Sequence, residues 1–106
     1  MQRHGEGWTV TAEPERLFIA FTGRLSADES RKAINAVCDC LDETPRHVVW
    51  DLTDMTGYDP LARVVWQSEL VPRRKRLLSL SVQGGSAFVR MGAVAIAFAL
   101  GIPLEK

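Results

Sequence analysis

Short apolar strand patterns alternate with capped helical patterns along this chain, and that alternation restricts its fold more than any other feature. Two strand patterns come first, at residues 8–12 and 17–22, separated by a turn around Pro14. Two more follow at residues 47–52 and 77–82, each flanked by helical patterns. The order β-β-α-β-α-β-α implies right-handed crossovers and a largely parallel sheet that begins with an antiparallel hairpin. We therefore predict an α/β fold with a mixed four-stranded sheet.

Length and charge narrow the class of protein. The chain has 106 residues, so we expect one domain over residues 1–106 with a single core. Thirteen Lys and Arg balance thirteen Asp and Glu, and nucleic-acid binding usually needs a basic surplus. The start of the chain has no apolar signal segment, and the apolar run at 91–104 is shorter than the roughly 20 residues of a membrane span. We expect a cytoplasmic protein without a transmembrane segment that does not bind nucleic acid.

The helix starts carry clear capping signals. Ser26 and Glu29 form a capping box in which Ser26 accepts from the Glu29 amide and Glu29 reaches back. Asp59 followed by Pro60 is a typical N-cap and first helical residue, and Ser86 can cap the last helix. The second helix is predicted to bury the face that carries Leu61, Val64, Val65 and Ser68, with Trp66 on its flank.

Candidate chemical groups are few. Cys38 and Cys40 lie two positions apart on a helix, so they point in different directions and favour neither a disulfide nor a zinc site. Asp51, Asp54 and Asp59 follow the third strand at a sheet edge where α/β proteins place their sites. These carboxylates could hold Mg²⁺, or they could cap and accept from loop amides. We expect no catalytic residue, metal or cofactor, while a small enzyme that uses this acidic cluster remains an alternative.

A short basic run follows the second helix. It consists of Arg73, Arg74, Lys75 and Arg76. Such a run can contact phosphate or anionic lipid headgroups, or it can simply be solvated.

The last helix, at residues 87–100, is apolar on nearly all sides and carries Arg90 as its single charge. A helix that covers one face of a sheet needs only one apolar stripe. Two stripes are present here, one made of Val89, Ala93, Ile96 and Leu100 and the other of Phe88, Met91, Ala95 and Phe98. Since both cannot face the same sheet, we expect a partner chain, a lipid or the N-terminal segment to cover the second face. We assign the side of Val89, Ala93, Ile96 and Leu100 to this partner or ligand surface.

Several motifs together suggest a family. They are the segment 49–60, the capped helix after residues 23–26, the Gly84-Gly85 loop and the closing residues 100–103. With the order of elements, they resemble the STAS or anti-sigma-factor-antagonist (SpoIIAA-like) superfamily, most closely small bacterial STAS/SEC14-like domain proteins. The resemblance implies a SpoIIAA-like fold and a non-enzymatic module that binds a kinase or anti-sigma partner. It also implies a phosphorylated serine or threonine directly after Asp59, where this chain has Pro60.

We therefore expect a protein-interaction or regulatory module that self-associates and lacks the usual phospho-switch. Its binding surface would combine the last helix with Trp66 as an anchor and with Asp54, Thr56, Tyr58 and Asp59. The alternative is a small SEC14-like protein that binds a lipid or another apolar ligand, with the basic run against anionic headgroups.

Overall fold

The strands and helices follow one another in the predicted order, with one additional strand at each end. A computed structural model describes residues 1–105. Its elements are β1 (Gln2–Gly5), β2 (Trp8–Ala12), β3 (Arg16–Leu25), α1 (Ala27–Glu43), β4 (Arg46–Tyr58), α2 (Pro60–Leu70), a 3₁₀ helix (Val71–Arg76), β5 (Leu77–Gln83), α3 (Ala87–Leu100) and β6 (Leu104–Glu105).

Within residues 1–105, six strands form one sheet in the order β1-β2-β3-β4-β5-β6. The β1–β2 and β2–β3 pairs are antiparallel, whereas β3, β4, β5 and β6 run parallel. The α/β class and the mixed sheet are confirmed, but the strand count of four is corrected to six. The two additional strands lie at the edges of the sheet and have no apolar pattern. Strand β1 is joined to β2 by a turn at Gly7, which has a φ of 85°. Strand β6 has two residues.

The helices form a single layer on one face of the sheet. Helix α1 packs against α2, and α2 packs against α3. This follows from the strand order, because successive right-handed crossovers that move in one direction leave every helix on the same side. Side chains on that face are buried, as for Val48 and Trp50, whereas Phe18, Ala20 and Ser81 on the opposite face are half-exposed.

The central strand is more deeply buried on its helix-covered face than on its other face. Strand β4 does lie between β3 and β5. Its His47 is exposed and its Asp51 half-exposed, because these side chains point to the face without helices. Val49 is 7% exposed on that same face.

The helix caps form where the sequence places them. Ser26 Oγ accepts from the Glu29 amide at 3.1 Å, and Asp59 Oδ1 accepts from the Leu61 amide at 2.9 Å. Ser86 Oγ accepts from the Val89 amide at 3.3 Å. The Glu29 carboxylate, however, bonds to the β1–β2 hairpin rather than back to the cap residue.

The second helix is rotated relative to the prediction. Ala62, Trp66 and Leu70 form its buried face, while Leu61 and Val64 are exposed. A Trp buries more apolar area than any other side chain on this helix, so its position decides which face turns to the core. None of the helices formed by residues 1–105 combines the length and hydropathy that crossing a bilayer requires.

Candidate functional site

An apolar groove lies between the helix layer and the sheet, near the carboxyl ends of β3 and β4. The cavity at its base has a volume of about 50 Å³, and the groove reaches about 380 Å³ when its solvent-open part is included. Its lining comes from β3, β4, α2 and α3: Phe21, Leu25, Trp50, Leu52, Met55, Tyr58, Ala62, Arg63, Trp66, Val89, Gly92 and Ile96. A concave, mostly apolar site with few polar groups is typical of small-molecule pockets.

Three aromatic rings build one wall of this groove. Trp66 makes edge-to-face contacts with Phe21, at 5.7 Å between ring centroids, and with Trp50, at 5.9 Å. Trp50 is 3% exposed and Trp66 is 4% exposed. Neither indole N–H has an acceptor among residues 1–105. A buried donor without an acceptor costs about 1–3 kcal/mol, and both indole nitrogens are enclosed in the core behind the wall of the groove.

Tyr58 lines the groove at the end of β4, and Phe88 of α3 packs against its ring. Their rings are stacked, with centroids 5.6 Å apart and planes inclined by 19°. The ring of Tyr58 rests on α3 at Gly92, where a Cβ would lie only 2.8 Å from it. The half-exposed Arg63 is the only charged residue in the lining, and within residues 1–105 it makes no ion pair.

Next to the groove, α3 presents an exposed apolar face to solvent. Phe88, Met91 and Phe98 are 62%, 68% and 88% exposed. Val94 lies beside them, and Ala95 is half-exposed. We call these five residues the α3 face. Its side chains carry no charge, and large exposed apolar patches of this kind mark interaction surfaces.

Five of the side chains predicted to meet a partner lie in the protein's own core. They are Trp66, Val89, Ala93, Ile96 and Leu100. The two-stripe interpretation of α3 is correct, but the stripe assigned to the surface is the buried one. β-branched and medium-sized side chains pack against the sheet, and the larger Phe and Met side chains of the other stripe remain outside.

Strand β4 does not end at residue 52 as predicted but runs on to Tyr58, because it continues to pair with β3 up to Leu25. Asp54 and Thr56 are exposed there, and Tyr58 and Asp59 are half-buried. Asp51 Oδ1 accepts from the Thr53 amide at 3.0 Å, which is a turn contact. Within residues 1–105, no three metal-ligating side chains converge.

The basic run is divided between two environments. Arg73 pairs with Asp42 at 2.9 Å, and this hydrogen bond raises the pKa of its guanidinium. Arg74, Lys75 and Arg76 are exposed on the 3₁₀ helix. Three cations rather than four are therefore available for an anionic surface.

Both cysteines are free and buried. Burial raises the pKa of the Cys38 thiol to about 11 and also raises the pKa of Cys40. Because the thiolate is the reactive form, both behave as small core residues.

Sequence reasoning missed Arg63, Trp50 and the exposed role of the α3 face. The phase of α2 was the signal that could have located Arg63, since burial of Trp66 brings Arg63 to the groove. On α3, both sides of the helix are apolar, so the spacing of apolar residues does not show which side faces the sheet.

Several solved structures share this fold. An uncharacterised protein from Shewanella loihica, described as having a SpoIIAA-like fold, matches with a TM-score of 0.73 at 12% identity over 99% of this chain and 88% of that one. The anti-sigma factor antagonist SpoIIAA in its unphosphorylated form matches with a TM-score of 0.55 at 13% identity over 93% and 87%. A protein named Mglu matches over 74% of this chain but only 20% of its own length, with a TM-score of 0.59 at 16% identity.

These likenesses confirm the expected SpoIIAA-like fold. No protein-family model matches the sequence, and no curated protein matches it significantly.

Proposed function

We propose that this protein is a non-enzymatic, STAS-type interaction module that binds a second copy of itself through the α3 face. The SpoIIAA-like fold suggests a regulatory or interaction module of this type. The observation that carries the proposal is the α3 face itself, on which Phe88, Met91 and Phe98 are all more than 60% exposed.

The α3 face is suited to a symmetric partner. In a two-fold dimer, each residue of a patch meets the residue on the other side of the axis. With the axis between Val94 and Ala95, antiparallel α3 helices bring Met91 of one copy against Phe98 of the other. Small and medium side chains at the axis permit close approach, and a face without charged side chains has no like charges to repel itself.

The net charge of the chain also favours a second copy of the chain as the partner. Its formal net charge is zero at pH 7, and proteins near zero net charge associate more readily than strongly charged ones. The nearest charge on α3, Arg90, is directed elsewhere, because its Nη1 donates to the carbonyl of Gly84 at 2.9 Å.

Regulation by phosphorylation directly after the α2 cap is not part of this proposal. The resemblance places the phosphorylated hydroxyl at the residue that follows Asp59, and here that residue is Pro60. Asp59 keeps its structural role as the N-cap. We propose that self-association is not switched by phosphorylation at this position and that the fraction of dimer depends on the protein concentration.

Sedimentation at several protein concentrations tests the proposal. The mass should rise from the protomer value of 11.8 kDa towards twice that value. Replacing Met91 and Phe98 together by Gln removes apolar contact area, so it should weaken association about tenfold or more. Leu78→Gln changes another exposed apolar residue without altering the charge and is the matched control. A wild-type mass that stays at one protomer at every concentration would contradict self-association.

A lipid carrier is the second candidate, and the exposed cations Arg74, Lys75 and Arg76 favour it. Co-sedimentation with anionic phosphatidylglycerol vesicles tests this candidate separately. The α3 face would be a membrane-binding surface rather than a dimer interface if two results were found together. The wild-type protein would bind the vesicles without forming a dimer in solution, and the Met91→Gln, Phe98→Gln variant would lose that binding.

A further inference from the structure

We propose that Met91 is an oxidation site and that a sulfoxide at this position separates the α3 face from its partner copy. The oxidant is a hydroperoxide, of which hydrogen peroxide is the simplest. This inference rests on the proposed self-association, because it concerns the regulation of that same surface.

The first argument is which sulfur atoms an oxidant can reach. Cys38 and Cys40 are buried, and burial raises the pKa of both thiols. A peroxide reacts with the thiolate, so both cysteines are protected at neutral pH. A thioether has no proton to lose, and its oxidation depends on access. Met91 is 68% exposed, whereas Met55 is half-buried in the lining of the groove.

The second argument is the chemical character of the surface that surrounds Met91. Oxidation transfers one oxygen atom: the sulfur attacks the peroxide, an S–O bond forms and the O–O bond breaks. The sulfur loses two electrons, and the remaining hydroxide takes the proton of the transferred oxygen and leaves as water. The product is a polar sulfoxide. The side chains of the α3 face are Phe, Met, Val and Ala, so none of them can donate a hydrogen bond to it.

The third argument is that oxidation and association oppose each other. In the proposed dimer, Met91 of one copy lies against Phe98 of the other. Burying a sulfoxide there without a donor is unfavourable, so the oxidised chain should associate about tenfold or more weakly. Because linkage is reciprocal, association should in turn protect Met91. Its oxidation should therefore slow as the protein concentration rises through the range in which the dimer forms.

The three methionines of the chain allow oxidation to be measured against an internal reference. Met1 is the other exposed methionine, and it lies outside the α3 face, beside β2, where its carbonyl accepts from the Ala12 amide at 2.8 Å. The full-length protein is treated with hydrogen peroxide at several protein concentrations. Mass spectrometry of its peptides gives the rate of oxidation at each methionine. The rate at Met91 should fall with concentration, whereas the rate at Met1 should not.

A matched variant tests whether Met91 is the group that matters. Met91→Leu keeps an apolar side chain of similar volume and has no sulfur at this position. Before treatment it should associate like the wild type, and after treatment its sedimentation mass should be unchanged. The treated wild-type protein should shift towards one protomer. Reduction by methionine sulfoxide reductases, which act on the two epimers of the sulfoxide, should restore its association.

Three results would overturn the proposal. One is a wild-type protein that stays associated when Met91 is fully oxidised. Another is an equal loss of association in peroxide-treated Met91→Leu, and the third is a rate of Met91 oxidation that is the same at every concentration. The untreated wild-type protein is measured first. A single protomer at that stage contradicts self-association and with it this proposal, whereas an untreated dimer that tolerates the sulfoxide contradicts the oxidation proposal alone.

Discussion

Glu29 shows how one side chain can connect three parts of the chain. Its carboxylate accepts from Lys32 Nζ at 2.9 Å, from Trp8 Nε1 at 3.0 Å and from the Glu6 amide at 2.9 Å. The hydrogen bond from Lys32, followed by those from Trp8 and Glu6, lowers the pKa of Glu29. The carboxylate thus holds the β1–β2 hairpin against the first turn of α1.

We expect Glu29→Gln to reduce stability at neutral pH and to matter less in acid. A lowered folded-state pKa stabilises the protein above the unfolded value of about 4.3. That contribution disappears as the pH falls through the folded-state pKa, since the wild-type carboxylate is then neutral as well. Urea denaturation at pH 7 and in steps below pH 4 measures the difference in free energy of unfolding between the two proteins.

Glu15→Gln is the control for this titration, because the Glu15 side chain is exposed and makes no ion pair within the described part of the chain. Its effect on the free energy of unfolding should be small. A Glu29→Gln deficit that stays constant into strong acid would show that shape, rather than charge, holds the hairpin.

The helix caps could be predicted from local sequence, but the contacts between Glu29 and the hairpin could not. Ser26, Asp59 and Ser86 cap their helices as expected, because capping involves only neighbouring backbone. The two hairpin partners of Glu29, which are Glu6 and Trp8, lie more than 20 positions away. Such partners depend on how the hairpin docks, which no local pattern records.

At the scale of elements, α3 and the end of β4 are fitted to each other at a single glycine. A Cβ on Gly92 would lie 2.8 Å from the Tyr58 ring, too close to be accommodated without movement. Gly in a helix interior is otherwise unfavourable by roughly 0.5–1 kcal/mol relative to Ala. The contact with Tyr58 explains why this position lacks a side chain.

A double-mutant cycle should therefore show a change of sign. Gly92→Ala alone is expected to be neutral or destabilising, since the gain in helix propensity is opposed by displacement of Tyr58. In a Tyr58→Ala background, the same substitution should stabilise the protein by about 1 kcal/mol. Thermal and chemical denaturation of the four proteins measures this coupling, and additive effects would contradict the contact.

The existence of both stripes on α3 could be predicted from sequence, but their orientation could not. Helical spacing groups Val89 with Ile96 and Phe88 with Met91, yet both groups are apolar. The choice between them depends on which shapes fit the sheet. On α2, too, more than one face could be the buried one. The prediction therefore put Trp66 on the flank and did not include Arg63 among the candidate site residues.

At the scale of the whole molecule, the sheet is covered by helices on one face only. Neighbouring residues of β4 therefore experience different surroundings. Val48 pairs with Leu17 and Leu80 and belongs to the core, whereas Val49 pairs with Phe18 and Ser81 on the open face. The strand order is enough to predict this once right-handed crossovers are assumed, although apolarity at both positions suggests coverage on both sides.

The same substitution at these two positions should have different costs. Val48→Thr places a hydroxyl in the core and is expected to destabilise the protein by about 1–3 kcal/mol. Val49→Thr places it on the open face, where the side chain is 7% exposed and its strand partners Phe18 and Ser81 are half-exposed, so the substitution should cost less than at Val48. Thr suits a β-strand as Val does, which makes the pair a matched comparison by urea denaturation. Equal costs would show that Val49 is shielded from water as effectively as Val48.

The unequal lengths of the strands have a consequence for the groove. The pairing of β4 with β5 ends at Asp51 and Gln83, whereas its pairing with β3 continues to Leu25 and Tyr58. A two-stranded ribbon twists more than a broad sheet. This ribbon extends beyond the last residues of β4 that pair with β5. Tyr58 lies at the end of this ribbon, where its ring rests on α3 at Gly92, so a helix rather than a neighbouring strand supports this side of the groove.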